Sequence, residues 1–133
     1  MMTTAQRLSP LDCTCFRVRG AARRVTQIYG RHLAPTRLKI SQFSLLGFVT
    51  AEGPVSIGRL SDLLTTDRTT LTRNLRPLIR DGLVRIDEGE DRRVRKAAIT
   101  PAGEEAARRA FPFWKKAQDA ALVAAAQPEG GQS

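Results

Sequence analysis

The sequence is poor in the groups that staple small proteins or carry redox and metal chemistry. It holds two cysteines and one histidine in 133 residues. Two thiols cannot build the multi-disulfide framework of a small secreted domain. The single imidazole, His32, lies several turns beyond Cys13 and Cys15 on the same expected helix, so no shared metal site and no cofactor are expected. No apolar run reaches the ~20 residues that span a bilayer, and no secretory leader is recognisable. The expectation is a cytoplasmic protein with no membrane contact. A phosphate-cradling glycine loop and a nucleophile motif are lacking, as are paired carboxylates outside one short stretch, Asp87, Glu88, Glu90 and Asp91. No enzyme is expected. No internal repeat is visible.

Acidic residues are also scarce, 13 against 22 basic ones, for a net charge of +9. The excess is uneven: residues 1–40 carry eight basic and one acidic residue, whereas residues 104–133 carry four of each. Such a balance favours a polyanionic partner, nucleic acid being the commonest; plain solubility is the alternative. The length suits one domain with a modest core.

Along the chain, residues 1–10 and the tail 128–133 read as disordered, and residues 11–127 as one domain. Ser9-Pro10 suits a helix start, giving a first helix over 11–33. On it Leu11, Cys15, Val18, Ala22, Val25 and Tyr29 recur at steps of four and three. That stripe fits either a core-facing helix or pairing between subunits. Ser41 can cap a second helix, 42–51, ended by Gly53-Pro54. Ser56 can cap a third, with Ile57, Leu60, Leu63 and Leu64 inward. A fourth runs from about Asp67 to Asp81 and stops at Gly82. Val84-Arg85-Ile86 and Lys96 to Ile99 read as two strands of a hairpin. Its charged tip, Asp87 to Arg93, contains Gly89. Thr100-Pro101 opens a last helix reaching 127, with a kink expected at Pro112.

The fourth helix carries the most information. Leu71, Leu75, Leu78 and Ile79 fall on one side. The other side shows Thr69, Thr70, Arg73, Arg76, Pro77 and Arg80. Small hydroxylated residues let a helix backbone approach a groove floor, and arginine can contact guanine in two-pronged fashion or bind phosphate. Arg73 and Thr70 are the candidates for base or groove contact; Arg68, Thr69 and Arg76 are candidates for phosphate. Pro77 disfavours helix at Arg76, yet the apolar spacing continues, so a bent helix is expected rather than a break. In the hairpin, Arg92, Arg93 and Arg95 suit a narrow minor groove. Asp91 is placed to pair with a wing arginine and aim it. A charge-balanced surface hairpin is the plainer alternative.

A tight two-helix turn followed by a basic hairpin is a winged helix-turn-helix. The overall class is mainly α with a small β-hairpin wing (α+β). The stretches Asp67-Arg68-Thr69-Thr70-Leu71-Thr72-Arg73, Arg80-Asp81-Gly82-Leu83-Val84, Asp91-x-Arg93 and Thr100-x-x-Gly103 resemble the MarR family of bacterial transcription regulators over residues 11 to about 120. The resemblance implies a winged-helix core over 41–100 and dimerisation helices over 11–33 and 101–127. It implies a homodimer on a pseudo-palindromic double-stranded DNA site, usually a repressor released by a small molecule or oxidant, with Arg93 in the minor groove and Asp91 orienting it. Two departures stand out. Family members usually carry a further dimerisation helix after a break near Gln127, and this chain ends at Ser133 instead. Relatives often have glycine where Thr65-Thr66 stands here.

Cys13 and Cys15, two residues apart on one helix, would lie on roughly opposite faces. Cys15 has Arg19 one turn on and sits near a helix start, a setting that favours a reactive thiolate. The segment from Cys15 to Tyr29 resembles the organic-hydroperoxide-sensing branch of the family, which surrounds its thiol with tyrosines. Tyr29 matches one; Arg19 and Ile40 stand where others would be. A small buried hydrophobe is the alternative for Cys15. Two other readings of the chain remain open: a non-specific nucleic-acid-coating or architectural protein, and a divergent family member that binds a partner protein.

Overall fold

The computed structural model describes residues 9–89, 91 and 94–126. In chain order it contains α1 (Thr14–Leu33), α2 (Ile40–Glu52), β1 (Val55–Ser56), α3 (Ile57–Leu63), α4 (Arg68–Arg80), β2 (Val84–Glu88), β3 (Arg95–Ile99) and α5 (Pro101–Ala126). It is mainly helical with one small antiparallel sheet ordered β1-β3-β2. The mainly α winged-helix architecture is as expected from the sequence. The third strand, β1, was not foreseen: two residues are too few for any alternation to show.

Several boundaries differ for local reasons. Ser9-Pro10 starts a 3-10 turn over Pro10–Asp12, not the α-helix, and Ser9 Oγ accepts from Leu11 N–H at 3.3 Å. The α-helix begins at Thr14, after Cys13 in extended geometry (φ −74°, ψ 117°). α2 begins at Ile40 rather than after Ser41, because Gln42 Oε1 reaches back to accept from Lys39 N–H at 2.9 Å. Ser56 caps α3 as expected, accepting from Arg59 N–H at 3.1 Å. α4 and α5 run unbroken through Pro77 and Pro112. At Pro77 the lost donor frees only the carbonyl of exposed Arg73, while Leu75 and Leu78 anchor the helix on either side of the ring.

One core is built from α2, α3, α4 and the sheet: Leu45, Leu46, Val49, Val55, Leu60, Leu71, Leu75, Leu78, Val84 and Ala97. Ile79 does not join it; it is 40% exposed, a correction to the expected apolar face of α4. Pro77, expected on the outer face, is half-buried.

The second packed region is α1 against α5. α5 buries Gly103, Ala110 and Ala117 at seven-residue steps, together with Ala121. Such small residues let helices approach closely. The α1 stripe divides. Val25 and Tyr29 are half-buried within the chain, and the Tyr29 hydroxyl donates to Gln118 Oε1 of α5. Leu11, Cys15, Val18 and Ala22 are exposed.

Candidate nucleic-acid interface

The start of α4 is set by Asp67. Its Oδ1 accepts from Thr70 N–H at 2.7 Å, and its Oδ2 accepts from the Thr70 hydroxyl at 3.0 Å. These bonds, the backbone one foremost, hold the Asp67 carboxyl below its ordinary pKa. Thr70, expected at the groove, therefore has its hydroxyl proton committed to the cap; its oxygen can still accept. Sequence reasoning placed Asp67 at the helix start but missed that Thr70 donates to it twice.

With Leu71, Leu75 and Leu78 buried, the opposite face of α4 is open. Arg68, Thr69, Thr72, Arg73 and Arg76 line one shallow hollow of about 430 Å³. Four of these five were expected from the sequence. Thr72 was not selected, though its i+3 spacing from Thr69 was the available signal. The Arg68 guanidinium lies over the first turn of α3: a Cβ on Gly58 would stand 2.9 Å from its Nη2. α3 and α4 thus meet at a cationic surface.

A second hollow, about 270 Å³, separates α4 from the hairpin and is lined by Ile57, Thr72, Leu75, Arg76, Ile79, Ile86 and Arg95. It brings Arg76 of α4 and Arg95 of β3 to the same depression. The exposed Ile79 is explained here, as part of the wall facing the wing.

The wing strands are longer than expected. Asp87 and Glu88 belong to β2, not to the tip, and β3 starts at Arg95. Cross-strand register explains this: Asp87 pairs with Lys96 and Glu88 with Arg95. Opposite charges face each other along the ribbon and favour pairing. Arg85 Nε also meets Asp87 Oδ1 at 3.1 Å. At the tip, Asp91 O accepts from Val94 N–H at 2.9 Å. Glu90, Arg92 and Arg93 lie outside the described residues, and with them the expected pairing of Asp91 with a wing arginine and the minor-groove role of Arg93.

The thiols are placed differently from expectation. Both are exposed in the chain. Cys13 precedes α1, so the argument from opposite faces of one helix does not apply, nor is Cys15 a buried hydrophobe within the chain. Tyr29 is fourteen residues beyond Cys15 in the same helix, about 21 Å along its axis. One chain does not bring the pair together. His32 Nδ1 lies 2.9 Å from Ile28 O. Among the described residues, no group of three His, Cys, Asp or Glu could hold a metal, and no helix is long and apolar enough to cross a membrane.

Comparison with known proteins agrees with this geometry. The MarR family profile matches residues 38–94, from the start of α2 into the wing. The M. tuberculosis transcriptional regulator MosR, solved in complex with DNA, shares 38% identity over 87% of this chain and 84% of its own, with a TM-score of 0.77. MosR solved separately gives 33% identity over 92% and 88%, with a TM-score of 0.75. Wild-type MarR from E. coli, at 17% identity over 84% and 83% and a TM-score of 0.70, shares the fold. No curated protein matches the sequence. With a capped reading helix, a charged β-hairpin and relatives of this identity over most of its length, the chain belongs to the MarR family of winged-helix transcriptional regulators.

Proposed function

We propose that the protein acts as a cytoplasmic, homodimeric repressor on a pseudo-palindromic double-stranded DNA site. α4 enters the major groove, with Arg73, Thr70 and Thr72 facing the bases. Arg68, Thr69 and Arg76 hold phosphates. The wing takes the adjacent minor groove through Arg92, Arg93 and Arg95, with Asp91 orienting Arg93. MosR, similar to this chain over most of its length, was solved bound to DNA. The observation that carries the DNA reading is the open face of α4, where three arginines and two threonines share one hollow.

Support for the homodimer comes from the far end of the molecule. Leu11, Phe16, Val18, Leu122 and Val123 are 48–69% exposed there, and Val18 and Ala22 line a groove with Ala124 and Ala125. A second copy would remove this apolar surface from water. Cys13 and Cys15 stand at the same end, so their oxidation would alter a dimer contact. That supports an oxidant as the releasing signal, with a small-molecule effector as the other form of the same reading. Cys15→Ser should then abolish oxidant-induced loss of DNA affinity; an unchanged response would exclude this thiol as the sensor.

The decisive test is fluorescence anisotropy on DNA from upstream of the protein's own gene against a scrambled duplex at equal salt. A preference of orders of magnitude supports a specific regulator. Equal affinity with a steep salt dependence supports the other reading that the net charge of +9 favours, a coating or architectural protein.

A further inference from the structure

We propose that Thr100 and Gly103 are positioning residues for DNA recognition. Together they lock the start of α5 to the turn between α4 and β2, and so set the separation of the two reading helices in the dimer. The inference rests on the homodimer reading above.

The geometry at this joint exceeds what a helix cap requires. The Thr100 hydroxyl accepts from Gly103 N–H at 3.0 Å, which caps α5, and also donates to Gly82 O at 2.6 Å, eighteen residues earlier. Thr100 N–H donates to Leu83 O at 3.2 Å. On the other side of the turn, Leu83 N–H donates to Leu78 O at 2.8 Å and Gly82 N–H to Ile79 O at 3.0 Å. A continuous set of hydrogen bonds therefore runs from the last turn of α4 into the first turn of α5. β3 ends at Ile99, so the root of the wing enters the same point.

Gly103 makes the fit close. A Cβ there would stand 2.0 Å from Leu83 O and 2.7 Å from Ile99 Cδ1. The nearest of these neighbours is backbone, which cannot swing aside as a side chain can. Gly82 turns with φ +74°, a conformation that L side chains rarely adopt. The four motif positions Gly82, Leu83, Thr100 and Gly103 thus serve one contact, which links the reading helix, the wing and the long helix leading to the α1 arm.

Leverage gives the joint a functional consequence. α5 has 26 residues and is about 39 Å long. A tilt of about 5° at its start moves its far end by roughly 3 Å, close to the ~3.4 Å rise of one base pair. A loosened joint therefore changes which half-site spacing the dimer accepts, without changing the residues that read each half-site.

The test uses Thr100→Asp, Thr100→Ser and Thr100→Val in the full chain. Aspartate still accepts from Gly103 N–H and keeps the cap, but cannot donate to Gly82 O. Serine keeps both bonds. Valine loses both without adding charge, and circular dichroism establishes which variants are folded. Each protein selects from a pool of random duplexes of about 30 base pairs, room for two half-sites one helical turn apart. The bound duplexes are sequenced. The parent and Thr100→Ser are expected to enrich paired half-sites at one spacing. Thr100→Asp and Thr100→Val should enrich the same half-site sequence with the spacing shifted or spread by about one base pair or more. Unchanged spacing in a folded Thr100→Asp protein overturns the proposal and leaves the homodimer standing. A parent that enriches only single half-sites overturns the homodimer reading and the proposal with it.

Discussion

The two packed regions of this molecule use side-chain size in opposite ways. The reading head, α2 to β3, turns its leucines and valines inward, and Leu46, Val49 and Leu60 have no exposed surface. Apart from Leu33 at the end of α1, the arm formed by α1 and α5 buries small residues, with Ala110 and Ala117 at zero exposure, and leaves Phe16, Val18, Phe111 and Leu122 outside. Bulky groups that are sealed within one chain make a self-sufficient core. Bulky groups left outside a tightly packed helix pair hold apolar surface in reserve for another contact. The head is thus sealed by its own side chains, whereas the arm keeps bulky apolar groups at its surface, the feature on which the proposed dimer rests.

Deleting one side chain from each region gives the largest contrast. Leu75→Ala in the head should cost about 2–5 kcal/mol in a urea titration, the usual range for a sealed leucine. Val18→Ala in the arm, at 61% exposure, should change monomer stability by about 0.5 kcal/mol or less, while weakening self-association measured by analytical ultracentrifugation. Similar unfolding costs at the two sites would break the distinction.

Next in size is a change on the head's open face. Arg73→Ala should weaken specific DNA binding by about 1–3 kcal/mol, the scale of one good groove contact, with little effect on the unfolding midpoint. Equal affinity of variant and parent in an anisotropy titration would remove Arg73 from the interface. Arg93→Ala carries the same expectation for the wing.

A smaller effect is expected at Thr65, which has φ +51°. A β-branched residue is strained there, so Thr65→Gly should stabilise the head by about 1 kcal/mol. A fall in the thermal midpoint would contradict the strain. The smallest effect concerns pH. Asp67 is more acidic in the folded chain than its ordinary value of 3.8. Its contribution to the head is present above that value and is lost as pH falls through the lower, folded value. Asp67→Asn should flatten this acid-side slope, and an identical slope would show that the cap carries no linkage.

Much of the head was legible because its signals are local. Ser56 and Asp67 precede their helices with short acceptors, and Leu71, Leu75 and Leu78 repeat at helical spacing. The arginines and threonines opposite them then had to be exposed. Legibility failed where a partner distant in sequence decides. Ile79 has the right spacing for the core but faces the wing hollow beside Ile86 and Arg95. Thr70 gives no sign in the sequence that its hydroxyl proton is held by Asp67, which leaves only its oxygen to meet a groove. Asp87 and Glu88 look like a charged tip until Lys96 and Arg95 stand across from them.

Residue order alone established the succession of helices, the reading helix and its polar face, the basic hairpin and the excess of positive charge. All of these follow from periodicity, capping and composition, which act over a few neighbouring residues. Tertiary structure decided which half of the α1 stripe is covered, why Gly103 admits no side chain, and how β1 joins the sheet. Those outcomes depend on Gln118, Leu83 and Ala97, residues brought close only when the chain closes on itself.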